Sequence, residues 1–322
     1  MSSADPAPAG KIRLKYRVEY RLLATTTFFV AHVPYRVGLA FAAFVARFLF
    51  HVARFRRRET LRRIRSVFPG ISPRAARRIA YLSLRNLAFN VVEMLRIRAF
   101  DSEKLHRLFP NLDDVVARIR ALQSRSVRAA CGESPSHGVI LALPHMGNWD
   151  LAGSACFLCG VTIFSVAGKQ RNPLVNNLLN RLRSGHGMDI VERGSRTLMQ
   201  IIARLRAGNV FAILPDTRNR LPDLDIPFLG GRANLARGMA TFAKTTNSPI
   251  FPIYLLRKGW TRFEIVPSDP VYPDPALDKD ADVRRMTELV IARVDAAIHA
   301  HPEQWFWYNK RWVLDPVNPP SS

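Results

Sequence analysis

The amino-acid sequence predicts an α/β fold, with a mostly parallel or mixed sheet covered by helices on both faces and an N-terminal helical membrane-anchor segment. Short apolar runs rich in β-branched residues recur after residue 138, and helical patterns separate most of them. Continuous apolar runs of this kind are typical of strands that are buried on both faces. A long apolar and aromatic stretch at 22–50 predicts the anchor segment.

The first 65 residues divide into a start and an anchor. Residues 1–10 are small and Pro-rich, which predicts a disordered start. Within 11–65, the apolar stretch is too long for a secretory signal and has no clear cleavage site. Pro34 and several charged residues interrupt it, so it is not a clean spanning helix either. Seven arginines follow between 54 and 65 and predict a basic flank at a membrane surface. A helix that spans the membrane, a helix that lies on it, and a buried amphipathic helix with a solvated basic face stay open as alternatives.

Residues 66–322 are predicted to form the main domain. It has a helical lead-in at 66–125 and an α/β core at 138–315. The segment 125–137 between them is polar and contains Gly and Pro, so it is the predicted boundary.

The elements of the main domain follow from periodicity and from their flanking residues. Ser72 before Pro73 predicts a helix start in the lead-in, because serine caps the first amides and proline fits the first turn. The predicted strands are 138–144, 161–167, 209–215, 249–256 and 263–267. The predicted helices of the core are 149–159, 172–186, 195–207, 233–246 and 281–299.

The charge balance of the chain is strongly basic. It has 48 Lys and Arg against 25 Asp and Glu, a net charge of +23, and residues 1–100 hold 20 of the bases and four of the acids. Such a charge favours a polyanionic partner, either nucleic acid or an anionic membrane surface. The basic residues flank an apolar segment and no nucleic-acid-binding motif is present, which favours the membrane. A basic nucleic-acid-binding protein stays as the alternative from a different class.

The three cysteines predict neither a disulfide framework nor a metal site. So few cysteines in 322 residues indicate a reducing compartment. Cys156 and Cys159 form a lone C-x-x-C near the end of a predicted helix, and no cluster of His, Cys and acidic residues has the sequence spacing of metal ligands. Both cysteines are interpreted as small buried thiols, and no metal is expected.

His145 is the candidate general base. It follows the first predicted strand in Pro144-His145-Met146-Gly147-Asn148-Trp149-Asp150, where a helix begins. Ligands of α/β sheets bind at the carboxyl ends of strands. A carboxylate from Asp150 that bonds one ring nitrogen of His145 leaves the other nitrogen free to accept a proton. A helix-capping Asp150 beside a chance histidine is the alternative.

Three arginines are candidates for binding an anionic substrate. Arg171 follows the second strand, Arg218 follows the third, and Arg232 precedes a predicted helix. Around one crevice with His145, their guanidinium groups can hold phosphate or carboxylate groups through two parallel hydrogen bonds. A solvated surface position is the alternative for each of them.

Motifs in a fixed order resemble the bacterial lipid A biosynthesis acyltransferases, a branch of the lysophospholipid acyltransferase superfamily. They are PHMGNWD, RNP, LPD, PFLGG and PEQWFWYNKRW, and the resemblance covers roughly residues 20–315. Pro144 before the histidine, and the absence of glycine from Pro215-Asp216-Thr217-Arg218, separate the chain from the glycerolipid members. Asp150 stands where the lipid A branch often has glutamate.

The resemblance implies an acyl transfer at a membrane. His145, oriented by Asp150, would take the proton of a glycolipid hydroxyl, which would attack the thioester of an acyl carrier protein or coenzyme A directly, with no other cofactor. The acceptor would be a membrane lipid such as a lipid A precursor, on the cytoplasmic face of the bacterial inner membrane. The further substrate contacts it implies are Asn148, Arg171, Asp216, Arg218 and Glu93, with an ion pair at the edge of the core as the alternative for Glu93.

The acceptor stays open after this resemblance. Actinobacterial acyltransferases of phosphatidylinositol mannosides share the same architecture, so a lipid of that type or a lysophospholipid is an alternative acceptor. A non-catalytic membrane scaffold is a third possibility, against which the His145 and Asp150 pair argues.

Overall fold

The computed structural model describes residues 13–125, 138–168, 170–184, 187 and 189–316. The predicted start at 1–10 and nearly all of the predicted boundary at 125–137 lie outside the described residues. The helices are α1 (Leu14–His32), α2 (Tyr35–His51), α3 (Arg57–Val67), α4 (Pro73–Leu95), α5 (Ser102–Leu108), α6 (Leu112–Arg125), α7 (Trp149–Leu158), α8 (Pro173–Ser184), α9 (Thr197–Arg206), α10 (Gly238–Thr246) and α11 (Lys279–Ala300). The strands are β1 (Val139–Ala142), β2 (Ile163–Ala167), β3 (Asp189–Glu192), β4 (Val210–Ile213), β5 (Leu224–Phe228), β6 (Gly231–Leu235), β7 (Ile250–Lys258) and β8 (Arg262–Pro267).

A six-stranded sheet with the order β3-β2-β4-β1-β7-β8 lies at the centre of the fold. Its first five strands run parallel, and β8 pairs antiparallel with β7 at one edge. Side chains of β1 enter two cores in alternation: Ile140 packs with residues of α4, α10 and α11, whereas Leu141 packs with residues of α5, α6 and α7. The prediction of a mostly parallel sheet covered on both faces is therefore confirmed, because strands apolar on both sides need a helical layer on each.

The predicted elements of the core are found with small shifts at their ends, with one exception. The predicted helix 233–246 is wrong in its first part, since 231–235 forms β6 and the helix begins at Gly238. Strand β6 pairs with β5 through a two-residue turn at Leu229 and Gly230, both at positive φ, which is the geometry of tight hairpins. Strand β3 was not predicted, because its sequence DIVE is short and half polar.

The lead-in is helical as predicted, and Ser72 caps α4 by accepting a hydrogen bond from the amide of Ala75 at 3.2 Å. The apolar stretch 22–50 is not one helix. It is divided between α1 and α2 at Pro34, which has no amide hydrogen to continue a helix. None of the described helices combines the length and the apolar character needed to cross a bilayer.

Helix α2 has two apolar faces. One face packs against α4 and enters the core through Leu39, Ala42, Ala46 and Phe50. The other face is exposed, and its residues recur at spacings of three and four. They are Val37, Phe41, Phe44 and Phe48, with Val52 directly after the last residue of the helix. The segment assigned to an anchor thus packs on the main domain along one side and presents a continuous apolar surface along the other.

Candidate active site

Parallel pairing brings a histidine and an aspartate together at one edge of the sheet. Strands β1 and β4 are neighbours, with Ala142 in register with Ile213. His145 and Asp216 each stand three residues beyond this pair, after the carboxyl end of their strand. Adjacent parallel strands that end in register deliver the residues beyond them to the same place, which is where α/β sheets bind ligands.

Asp216 holds the histidine in two ways. Its Oδ1 lies 2.7 Å from Nδ1 of the His145 ring, and its Oδ2 accepts the backbone N–H of His145 at 2.7 Å. The indole Nε1–H of Trp305 donates to the same Oδ2 at 2.8 Å. An ionised carboxylate can only accept, so Nδ1 carries the proton, and the lone pair of neutral His145 is on Nε2.

Burial and charge act together on this pair. Asp216 is 2% exposed, while the side chain of His145 keeps 22% of its surface exposed. Burial disfavours the charged forms, but the charge and hydrogen bond of Asp216 outweigh it and raise the pKa of His145 above its usual value, with a smaller contribution from the charge of Asp150. The imidazole and the hydrogen bond from Trp305 lower the pKa of Asp216 despite its burial. The pair is thus a stronger base than a free imidazole, with a fixed tautomer.

The predicted partner of the histidine ring is corrected by this geometry. The sequence spacing suggested Asp150 as the carboxylate bonded to the ring, and the structure gives the Nδ1 position to Asp216. Asp150 lies in the first turn of α7 and acts on His145 through its charge. Its assignment as a catalytic residue stays a prediction.

The chain around His145 is fixed by the C-terminal segment. The carbonyl of His145 accepts from the backbone N–H of Phe306 at 3.1 Å, and Met146 forms a β-bridge with Trp305. Gly147 has a φ of +60°, and a Cβ built there would lie 2.5 Å from the Cβ of Leu255. Only glycine allows the loop to lie this close to β7 in this conformation.

A buried polar network also holds the loop that follows His145. Glu93 is fully buried and receives two hydrogen bonds of 2.7 Å from the guanidinium of Arg257. The amide of Asn148 and the hydroxyl of Tyr35 donate to the same carboxylate at 2.8 and 2.6 Å. Asn90 accepts from Arg257 at 2.8 Å and donates to the carbonyl of Gly147 at 2.5 Å.

Two residues that were predicted as substrate contacts belong to this buried network. Asn148 caps α7 and Glu93 pairs with Arg257, so both side chains already have protein partners in the buried network. The ion-pair alternative stated for Glu93 is the arrangement found. Arg257 and Trp305 were missed, although Trp305 lies in the aromatic C-terminal motif noted in the sequence.

The three candidate arginines have different surroundings in the structure. Arg218 donates to the backbone carbonyls of Asp315 and Pro316, so its guanidinium holds the C-terminal segment. Arg232 lies on β6 and forms an exposed ion pair with Asp225 across the hairpin. Arg171 is exposed in the loop between β2 and α8. The guanidinium groups of Arg218 and Arg232 thus already have protein partners, and the substrate contacts assigned to all three arginines stay predictions.

Replacing Asp216 by asparagine is expected to move the pH dependence of activity. Wild-type kcat/KM should rise with pH through the raised pKa of His145, because only the neutral ring accepts a proton, so its midpoint lies above the usual 6.5. Without the charge of Asp216 the midpoint should fall to lower pH, and the plateau should fall by about 10²–10⁴-fold because an amide no longer fixes the tautomer. Asp150→Asn, which leaves the Nδ1 bond in place, should cause a smaller shift and a smaller loss. Equal profiles for the two variants would contradict this assignment.

Comparison with known proteins connects this geometry to a family. Residues 8–313 match the family model described as bacterial lipid A biosynthesis acyltransferase. The match includes both His145 and Asp216 as well as the C-terminal aromatic segment.

Individual relatives are more distant. A phosphatidylinositol mannoside acyltransferase of Mycobacterium tuberculosis is 25% identical over 229 residues, which are 69% of this chain and 66% of the relative. Lipid A biosynthesis acyltransferase 2 of Shigella flexneri is 23% identical over 187 residues, or 54% of this chain and 55% of the relative. A lipid A biosynthesis acyltransferase of Haemophilus influenzae is 27% identical over 52% of each chain. The chain thus spans between about half and two thirds of the length of these relatives.

Proposed function

Since the chain belongs to the bacterial lipid A biosynthesis acyltransferase family, we propose that it is an O-acyltransferase that moves a fatty acyl chain from a thioester to a hydroxyl of a glycolipid. The observation that carries the proposal is the His145–Asp216 pair at the carboxyl ends of two neighbouring strands. It supplies a base of fixed tautomer and raised pKa, which is what deprotonation of an alcohol requires.

The proposed reaction is a direct transfer. Nε2 of His145 takes the proton of the acceptor hydroxyl while the oxygen of that hydroxyl bonds to the thioester carbonyl carbon. The tetrahedral intermediate collapses, the C–S bond breaks, and the leaving thiolate takes the proton back from the imidazolium. Asp216 stays ionised and stabilises the imidazolium. The negative charge of Asp150 adds to this stabilisation of the imidazolium.

The donor and the acceptor are proposed by class. The donor is an acyl carrier protein or coenzyme A thioester, and no further cofactor takes part. The acceptor is a glycolipid, either a lipid A precursor or a mannosylated phosphoinositide, because relatives named for both substrates match this chain. Arg171 is the candidate contact to a phosphate of donor or acceptor.

Lipid mass spectrometry of a deletion strain tests this function. The strain should lose one acyl chain from one glycolipid class, and the wild-type gene should restore it while the His145→Ala gene should not. The class that changes identifies the acceptor. An unchanged glycolipid profile, together with no acyl transfer by the purified protein to any glycolipid fraction, would reject the proposal.

We also propose that the protein docks on the anionic cytoplasmic surface of the inner membrane through α2 and the turn that follows it. The chain directly after the exposed apolar face of α2 lines a surface pocket of about 420 Å³, and this lining is almost entirely basic. Its residues are Arg54, Arg56, Arg57, Arg58, Glu59 and Arg62. The carboxylate of Glu59 is already shared by Arg62 and Arg63, at 3.1 and 3.0 Å. Apolar side chains beside a lining of five arginines and a single carboxylate favour a membrane interface over a nucleic acid.

Changing Arg54, Arg58 and Arg62 to glutamine together is expected to weaken binding to anionic vesicles. At about 1 kcal/mol per basic residue near such a surface, three charges correspond to roughly a hundredfold in affinity at low salt. The matched control changes Arg74, Arg77 and Arg78, three exposed arginines on α4, and removes the same charge elsewhere. Vesicle sedimentation should separate the two variants, and equal loss in both would contradict a specific docking surface.

A further inference from the structure

Three side chains that are distant in sequence meet at the ends of three helices, away from the catalytic pair. His106 lies on α5, Asp113 lies in the first turn of α6, and Cys159 is the residue at which α7 ends. Nε2 of His106 is 3.1 Å from Oδ1 of Asp113 and 3.8 Å from Sγ of Cys159. All three donor atoms lie within 4.8 Å of one another.

The histidine of this cluster is presented as a ligand. Its Nδ1 lies 2.7 Å from the backbone carbonyl of Ser102, one turn earlier on α5. Nε2 lies 3.1 Å from the carboxylate of Asp113, so each ring nitrogen has an acceptor, which favours the doubly protonated ring in the metal-free protein. Loss of the Nε2 proton leaves the Nδ1 hydrogen bond to Ser102 in place and gives Nε2 a lone pair that faces the acid and the thiol. Metal-binding histidines are held in this way, with the second ring nitrogen donating to a carbonyl or a carboxylate.

We propose that His106, Asp113 and Cys159 bind a divalent transition-metal cation, with Zn²⁺ as the cation that fits the donor set. Zinc takes imidazole, thiolate and carboxylate ligands in a tetrahedron, with bonds of about 2.0–2.3 Å that separate neighbouring donors by about 3.3–3.6 Å. The two distances measured from Nε2 differ from this range by a few tenths of an ångström. A fourth position is left for water or a ligand.

Metal binding at this cluster releases protons, because a thiol and an imidazole nitrogen bind a cation only in their deprotonated forms.

A cation at this site would connect three helices at a distance from the reacting groups. Cys159 ends the helix that Asn148 begins beside His145, and ten residues of helix separate the two ends by about 15 Å. A cation would fix the far end of α7 to α5 and α6 without touching the reacting groups. Metal binding is thus independent of the acyl transfer proposed above.

Titration of the untagged 322-residue protein with Zn²⁺ and Co²⁺ tests the inference. Isothermal titration should give one equivalent of Zn²⁺ that binds with release of protons. Cobalt should give a thiolate-to-metal absorption band in the near ultraviolet. Cys159→Ser should abolish the band, and His106→Gln and Asp113→Asn should each weaken Zn²⁺ binding at least tenfold.

Two control variants separate this site from adventitious binding. His299→Gln removes a histidine whose side chain is 39% exposed, against 38% for His106. His299 also pairs with an aspartate, Asp295, at 3.3 Å, but this ion pair contains no cysteine. Cys156→Ser removes the buried thiol one helical turn before Cys159. Both controls should bind Zn²⁺ as the wild type does. Zinc binding that survives Cys159→Ser and His106→Gln, or wild-type protein with no cobalt–thiolate band at saturating metal, would overturn the inference even if acyl transfer is intact.

Discussion

Replacement of His145 by alanine is expected to lower kcat/KM for acyl transfer by about 10²–10⁴-fold, the usual contribution of a general base. The ring is the group that Asp216 orients, and it keeps 22% of its surface open to a substrate. Removing it leaves the binding surfaces in place but no group to take the hydroxyl proton. The measurement is transfer of a labelled acyl chain from its thioester to a glycolipid fraction.

Folding and docking must be intact for this result to have meaning. The alanine variant should sediment with anionic vesicles and unfold close to the denaturant concentration of the wild type. His299→Ala, a change to an exposed histidine on α11, should retain full activity. Wild-type turnover by folded His145→Ala would reject the general-base mechanism and leave the family assignment untouched.

Replacing Arg257 by methionine is expected to lower the free energy of unfolding by about 3–5 kcal/mol, because it leaves the charge of Glu93 buried without its partner. Both side chains of this pair are at most 1% exposed. The loss should appear as a lower midpoint in urea unfolding. Activity should fall as well, since Arg257 orders Asn90 against the carbonyl of Gly147 in the loop of His145.

The exposed pair of Arg232 and Asp225 provides the matched control. Its side chains are 58% and 60% exposed, and Arg232→Met should cost at most about 1 kcal/mol. The double change Arg257→Met with Glu93→Met removes both buried charges and should recover part of the loss. Recovery should be incomplete because Tyr35 and Asn148 then lose their acceptor. Equal costs for Arg257→Met and Arg232→Met would show that the buried pair has no special weight.

The elements that could be predicted are those whose own residues determine them. The strands β1, β2, β4 and β7 are apolar runs typical of strands buried on both faces, β8 has an alternating apolar pattern, and Ser72 before Pro73 is a local capping signal. The first part of the predicted helix 233–246 was wrong because the turn at Leu229 and Gly230 imposes a hairpin on the segment after it. Strand β3 has too few apolar residues to be recognised without the neighbour that pairs with it.

The surface proposed for membrane docking could be predicted only in part. The apolar and basic composition of residues 11–65 is a property of the sequence. Which side of α2 faces the core was not visible in it, since Phe41 and Leu39 are equally apolar. Packing against α4 buries Leu39 and leaves Phe41 65% exposed.

The sequence by itself determined that His145 leaves a buried strand through a turn that requires glycine, and that the chain folds as a covered α/β sheet. These follow from local periodicity and from backbone conformations open to few residue types. The tertiary structure decided the partners. The pairing register of β1 and β4 places Asp216 beside His145. The ends of three helices bring His106, Asp113 and Cys159 together. Glu93 and Arg257, which are distant in the chain, form a buried ion pair. Contacts between residues distant in the chain depend on strand order and helix packing, which one segment of sequence does not contain.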